Sequence, residues 1–376
     1  VLTSGEQPWT SMADNCEVLT MDLQTRHLQP ADVYRRVYRA AEKLRQKNVP
    51  YLYIKTDSGM RGNVGAALAA AADSWKSSVY FVPAYPKTGR TVVDGALYVD
   101  GKPVSESVFG EDLFNPVRRD RIADIIGEQT RMPVVEKWQP EGAIVLRNAS
   151  TNEDMKRLAA EITPDVRLMA GCAGLAHYLP DKLQIPAGKL PEVTLHQPLL
   201  VISGSTSKVS LDQLRYCEEK GFRSILLTDI LEAEPDFKTL VRQVMESHHS
   251  SGILLEVIRS EEECARLNQE AGRSGLNSIQ ASERIASNLG KAAASIVNAG
   301  FQGVLFVFGG DTLACVLREL KTRRIEPLCE IESGVVVSEV FRDDGSLFVI
   351  SKSGSFGGLD VVENVCRKCS MGVFAQ

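Results

Sequence analysis

Two cations, a carboxylate and a hydroxyl fall within one short stretch of this 376-residue chain: Lys55, Asp57, Ser58 and Arg61 in LYIKTDSGMRGNVGAAL, residues 52–68. An apolar run that reads as a strand ends at Lys55, and a glycine-led helix reads as starting beside Gly62 and Asn63. A strand end followed by a helix start supplies free backbone N–H groups and a partial positive charge, which together suit an anion. Lys55 and Arg61 could clamp a carboxylate or phosphate there. Asp57 could accept a hydroxyl proton, or orient that hydroxyl for phosphoryl transfer. The same residues would also serve as a polar turn that caps a helix. Arg26 lies in Thr25, Arg26 and His27, at the end of the strand-like CEVLTMDL, and reads as a further anion clamp at the same sheet edge.

The second half carries Gly/Ser loops at strand ends. LLVISGSTSKVSLDQL runs from an apolar strand through Gly204, Ser205, Thr206 and Ser207 into a helix that Ser210 is placed to cap. GVLFVFGGDTLACVLREL puts Gly309, Gly310, Asp311 and Thr312 at a helix start, where glycine lets a phosphate approach the backbone and Asp311 could bind a metal or cap the helix. LFVISKSGSFGGLD places Lys352, Ser353, Gly354, Gly357 and Gly358 after the last strand, as a flexible lysine-bearing loop suited to a nucleotide. No GxxxxGK[ST] loop occurs, nor a GxGxxG in a strand-to-helix setting. The expectation is therefore a nucleotide site assembled from several turns, against the alternative of tight βα turns with no ligand.

Elements must bring these turns to one edge. Short apolar runs alternate with amphipathic segments throughout, which is the pattern of β-α units around a largely parallel sheet. Strands are expected in CEVLTMDL, YLYIKT, VYFVPA, AIVLRN, LLVISG, SILLTD, GILLEV, VLFVFG and LFVIS, and helices in PADVYRRVYRAAEKLRQ and VGAALAAAADSW. Between them PAYPKTGRTVVDGALYVDGKPV reads as a hairpin arm, with Asp100 and Gly101 as its turn. The length favours two domains, and the proline-bearing stretch 183–198 is the best linker. The expected division is an N-terminal domain over residues 1–185, which carries the anion-binding turn, and a C-terminal nucleotide-binding domain over 197–376. The fold class is α/β, each domain a mainly parallel sheet flanked by helices, with the active site in the interdomain cleft. The chain begins in the approach to a strand with no preceding βα unit, so a first unit is expected to be missing.

A net charge of −5, from 43 Lys and Arg against 48 Asp and Glu, and the lack of a long basic run argue against a nucleic-acid partner. No apolar stretch is long enough to span a membrane and no signal peptide is evident, so the default location is the cytoplasm. The 8 cysteines are scattered and read as reduced thiols, the CRKC pair included. The histidines other than His27 read as surface or structural. Exposed helices of α/β domains often pair, which leaves a homodimer open.

Taken together, these stretches resemble the four-carbon acid sugar kinase family, over nearly the whole chain. The family's KxDSTLRGNxG is similar to residues 55–65, and its PAFPxxGRTxxDGxLYVxGxPL to residues 83–104. GSAGLA appears as residues 171–176, GSxSxxT as 204–210, GGDT as 309–312 and KSGxFG as 352–357. The resemblance implies ATP-dependent phosphorylation of a threonate, erythronate or 3-oxo-tetronate. It implies that Arg26 and Asp57, Ser58, Gly59, Met60 and Arg61 bind the sugar acid, with Lys55, Asp57 and Arg61 catalytic. It further implies that Ser205, Gly309, Gly310, Asp311, Thr312, Lys352 and Gly354 contact ATP, with Mg²⁺ bridging its phosphates. The family's Ser-Thr-Leu is Ser58, Gly59 and Met60 here, which removes one hydroxyl from the acid site, and an aspartate common at a later strand end is Asn148. Its DDLTGA-type loop does not appear, so the aspartate that loop contributes and Asp57 are equal candidates for the base. The alternative is a non-catalytic nucleotide- or metabolite-binding protein of the same fold. A nicotinamide dehydrogenase is disfavoured by the missing dinucleotide fingerprint.

Overall fold

The structure, a computed structural model, is described for residues 17–25, 28–110, 116–186, 193–195, 198–205, 207–247, 252–332, 334–352 and 356–369. Contacts group the chain into one compact unit, Asp22–Gly188, and a second that contains Lys189–Gln376.

In the first unit, β1 (Leu52–Lys55), β2 (Val79–Val82), β6 (Val134–Val135), β7 (Ile144–Leu146) and β8 (Leu168–Gly171) form a sheet in the order β1-β8-β2-β7-β6, with every neighbour parallel. The arm is a separate antiparallel sheet of β3 (Arg90–Val93), β4 (Ala96–Val99) and β5 (Lys102–Pro103). Asp100 and Gly101 turn between β4 and β5 with φ of 51° and 80°, the left-handed pair that a two-residue hairpin demands. The helices are α1 (Pro30–Gln46), α2 (Val64–Trp75), α3 (Ile122–Gly127), α4 (Asn152–Ala160), α5 (Ala173–Ala176) and α6 (Leu179–Lys182). The alanine run lets α2 bury nearly its whole circumference, touching both α1 and the sheet. The Trp75 indole N–H then donates to the Ala41 carbonyl of α1 at 2.9 Å.

In the second unit, β9 (Leu199–Ser203), β10 (Arg223–Leu226), β11 (Ile253–Glu256), β12 (Val304–Phe308), β13 (Arg324–Glu332), β14 (Val335–Arg342) and β15 (Gly345–Lys352) take the order β10-β11-β9-β12-β15-β14-β13. The first five are parallel, and β14 and β13 close the sheet as an antiparallel hairpin. The helices are α7 (Lys208–Glu219), α8 (Lys238–Glu246), α9 (Glu261–Arg273), α10 (Ser278–Asn298), α11 (Gly310–Glu319) and α12 (Val361–Lys368). β9 and β12 are buried at every position, as strands covered on both faces must be. One face packs on α7 and α12 through Leu214, Cys217, Val362 and Val365, and the other on α8, α10 and α11 through Val244, Leu289 and Val316.

CEVLTMDL forms no ladder strand among its described residues, 17–23. They show a bend at Glu17 and a single bridge at Met21, and Val18 is 63% exposed. Alternation makes a strand only where a neighbouring backbone pairs with it. Conversely β6, β8, β13 and β14 form where no strand was expected. No helix among the described residues is long and apolar enough to cross a membrane.

Candidate active site

Lys55 of β1 pairs in register with Gly171 of β8, which also pairs with Val82 of β2, so three strand ends lie side by side at the carboxyl edge. Asp57 organises the turn that follows. Its Oδ1 accepts from the amides of Gly59 (2.9 Å) and Arg61 (3.3 Å) and from Arg61 Nε (3.2 Å), while Oδ2 accepts from Arg61 Nη2 (2.9 Å). Asp57 and Arg61 are thus partners in a two-pronged ion pair, the strong form of this contact. Met60 takes a left-handed φ of 64°, with its side chain 1% exposed in the core and its amide on the Asp57 carbonyl at 3.1 Å. Expected as an acid contact, Met60 instead shapes the turn, because both its side chain and its N–H are engaged within the protein. Ser58 is half-buried, and Lys55 is exposed.

The glycines and asparagine of this region have packing reasons. A Cβ at Gly65 would lie 2.7 Å from the Ile126 carbonyl oxygen, and one at Gly174 2.3 Å from that of Ala84. Asn63 Nδ2 donates to the carbonyl of Leu28 at 2.7 Å and to that of Thr25 at 3.4 Å, tying the start of α2 to the preceding segment. Arg26 lies outside the described residues. Asn148 accepts from the Gly95 amide at 3.0 Å and so holds the arm to the sheet end.

In the second unit, Leu226, Glu256, Ser203, Phe308 and Lys352 form one lateral row across β10, β11, β9, β12 and β15, the last residues of their strands. β9 is followed by α7 on one face and β12 by α11 on the other. Neighbouring strands whose connections leave on opposite faces open a crevice at the sheet's carboxyl edge, where α/β sheets take ligands. Ser205 and Gly309, Gly310, Asp311 and Thr312 flank that crevice, and a Cβ at Gly204 would lie 3.3 Å from Thr312 Oγ1, so the two turns touch. Gly309 has φ of 97°, which needs glycine, and its amide donates to the Lys352 carbonyl at 2.9 Å. The amides of Gly310, Asp311 and Thr312 begin α11, and none has a backbone or side-chain acceptor among the described residues.

Ser207, not Ser210, caps α7: its Oγ accepts from the Ser210 amide at 3.2 Å. The first helical residue is Lys208, so Ser210 sits inside the first turn where its amide is the donor. Ser205 Oγ accepts from the Ser207 amide at 3.3 Å, which couples the turn after β9 to the cap. Ser207→Ala is expected to lower the unfolding free energy of this unit by about 1 kcal/mol. Denaturant titration checks it, and an unchanged midpoint would remove the cap.

Lys352 is the last residue of β15 and 2% exposed, not part of a flexible loop, because it pairs with both Phe308 and Val335. Its Nζ donates to the Phe356 carbonyl at 3.2 Å and stands 4.4 Å from the Phe308 ring centre, and burial pulls its pKa down to about 8. Gly354 lies outside the described residues. Gln213 of α7, which sequence reading missed, is fully buried and its amide nitrogen Nε2 donates to the carbonyls of Phe356, Gly357 and Gly358 at 3.2, 3.0 and 2.9 Å. It ties the turn after β15 to the helix after β9. Glu256, also missed, is raised in pKa by burial and accepts from the Ser224 hydroxyl, with Arg259 3.6 Å away. That arrangement reads as structural. Among the described residues no group of three or more His, Cys, Asp or Glu is placed to hold a metal ion.

Residues 2–179 match the family model of a sugar-binding N-terminal domain, and residues 200–362 that of a nucleotide-binding C-terminal domain. The chain is similar to a D-threonate kinase of Salmonella typhimurium, at 28% identity over 95% of this chain and 89% of the relative. It is also similar to a 3-oxo-tetronate kinase of Pseudomonas savastanoi, at 24% over 92% and 86%, and to a D-erythronate kinase of Heliobacterium modesticaldum, at 25% over 92% and 85%. Among solved structures, a Salmonella typhimurium protein shares the fold with a TM-score of 0.78, at 20% identity over 97% of this chain and 91% of that one. A Haemophilus influenzae protein does so with a TM-score of 0.73, at 21% over 94% and 91%. With the sugar-binding and nucleotide-binding domains matched in order along its length, the chain belongs to the four-carbon acid sugar kinase family.

Proposed function

We propose that the chain transfers the γ-phosphoryl group of ATP to a hydroxyl of a four-carbon sugar acid, the substrate class named for its kinase relatives. The observation that carries this reading is the 309–312 turn: a glycine-led helix start with three amides lacking an acceptor among the described residues, beside the crevice between β9 and β12. Such a start favours phosphate through aligned N–H groups and the helix dipole. Ser205 and Thr312 supply hydroxyls, Lys352 a cation, and Gly354 is assigned to the same nucleotide by resemblance alone. Phe356 (44% exposed) and Leu359 (53%) offer apolar surface near Lys352 for the base.

Mg²⁺ fits this donor set as part of the nucleotide complex, since it keeps waters and phosphate oxygens and needs only one or two carboxylates. Asp311, in the first turn of α11, would hold it, and the ion would neutralise phosphate charge. On the acid side Lys55, Ser58, Gly59 and Arg61 line the binding turn, and Arg26 is assigned to the same acid by resemblance alone. Asp57 accepts the hydroxyl that is phosphorylated. Its pairing with Arg61 and the Gly59 amide holds the carboxylate in place, which suits an orienting acceptor. Positioning and charge neutralisation supply most of the rate in phosphoryl transfer.

ADP release from ATP and Mg²⁺ against a panel of threonates, erythronates and 3-oxo-tetronates tests the proposal. Turnover of one panel member at a rate well above the acid-free background is expected. ATP binding with no turnover on any member would overturn it in favour of a non-catalytic binder.

A further inference from the structure

We infer that Arg90, at the base of the arm, is the guanidinium that recognises the carboxylate of the acid, an inference that rests on the kinase reading above. Arg61 is the arginine that the motif offers for this task. Yet its Nε and Nη2 edge is engaged by both oxygens of Asp57, so its charge is matched inside the protein. A substrate carboxylate arriving at Arg61 meets the negative charge of Asp57 at the same place.

Arg90 is half-buried, and no carboxylate pairs with it among the described residues. Its guanidinium carbon stands 5.5 Å from the ring centre of Phe109, and its Nη1 donates to the Thr88 carbonyl. A carbonyl and a ring face steady a guanidinium without cancelling its charge. Asp100 packs its carboxylate against Gly89, where a Cβ would lie 1.9 Å from Oδ1, and forms no ion pair with Arg90.

The backbone fixes Arg90 beside the motif turn. Tyr85, just beyond β2, and Arg90 exchange hydrogen bonds, Tyr85 N to Arg90 O at 2.7 Å and Arg90 N to Tyr85 O at 3.1 Å. Phe109 in turn lies against Gly59, where a Cβ would come within 2.4 Å of the ring, and Arg61 stands 4.9 Å from the same ring centre. One aromatic ring thus joins the Asp57 turn to the arm, and glycine at 59, where the family motif has threonine, is what admits it. A hydroxyl is lost from the acid site and an aromatic surface flanked by two guanidinium groups takes its place. Arg90 is the member of that pair with uncancelled charge, and a planar carboxylate is the ligand its fork fits.

The test uses the full chain, the panel acid that is turned over best, and the primary amide of that acid. Arg90→Gln is expected to raise KM for the acid about 10- to 100-fold, the usual weight of a charged hydrogen bond. KM for ATP should stay unchanged, and the wild-type preference for acid over amide should collapse. Arg90→Lys, which keeps a point charge and loses the fork, should retain part of that preference. If Arg90→Gln fails to fold, the lysine variant decides by the same split between the two KM values. An unchanged acid KM and acid-over-amide ratio overturns the inference, as does a fall in kcat alone, which would place Arg90 on the transferring phosphoryl. A wild type that turns over none of the acids brings down the kinase reading itself, whatever the variants do.

Discussion

Replacing Asp57 with asparagine is expected to lower kcat on the preferred acid by roughly 10³-fold while leaving ATP affinity unchanged, the middle of the range for a side chain that handles the reacting proton. The substitution keeps an oxygen that can accept from the Gly59 amide but removes the negative charge that Arg61 meets at 2.9 Å. Two losses then coincide: the acceptor for the reacting hydroxyl, and the partner that holds Arg61. Steady-state kinetics together with ATP titration by calorimetry separates them from a fold defect, since the nucleotide turns lie on the other sheet. Turnover within tenfold of wild type would take Asp57 out of the chemistry.

Lys352→Met carries the second large effect, and its two consequences run in opposite directions. Burial lowers the lysine pKa from 10.5 to about 8. Between those values the unfolded chain holds a proton that the folded chain has shed, so the unfolding free energy rises with pH across that window. Below about pH 8 the folded state bears the full penalty, of order 3 kcal/mol at ~1.4 kcal/mol per pKa unit. Methionine fills similar space without charge, so the variant is expected to be more stable at neutral pH by about 1–3 kcal/mol and to lose the alkaline rise. It should also bind ATP about 10- to 100-fold more weakly, as the loss of a charged phosphate contact requires. In the wild type, ATP affinity should fall as pH climbs past about 8, and in the variant it should not. Equal affinities in the two proteins would leave Lys352 a packing residue.

Much of the scaffold was legible because its signals are local. Pro30 opens α1, the alanine run is α2, and the apolar runs that became β1, β2, β7, β9, β10, β11, β12 and β15 are short and bounded by turn residues. The sequence misleads where structure depends on pairing. β8 has only Leu168, Met169, Ala170 and Gly171, too short and too small to announce a strand, yet it sits between β1 and β2. CEVLTMDL has the alternation but no ladder among its described residues. The candidate site divides in the same way. The turn residues declare themselves by type, whereas the pairing of Asp57 with Arg61, the burial of Met60 and Lys352, and the carbonyl contacts of Gln213 are three-dimensional facts. Arg90 stood inside a quoted motif string, but its role depends on Phe109 and Gly59, which the arm brings to it.

The placement of β9 beside β12 also governs when the crevice between them comes into being. Leu199 pairs with Val304, and the whole of β10, α8, β11, α9 and α10 lies in the chain between α7 and β12. Closing so long a loop carries an entropic cost before any contact rewards it, and pairings between distant segments form slowly. During synthesis β9 must wait, with one edge unmatched, until β12 has been made. The crevice therefore exists only once both strands are in place, so a ligand that binds there stabilises the paired sheet and does not guide its folding.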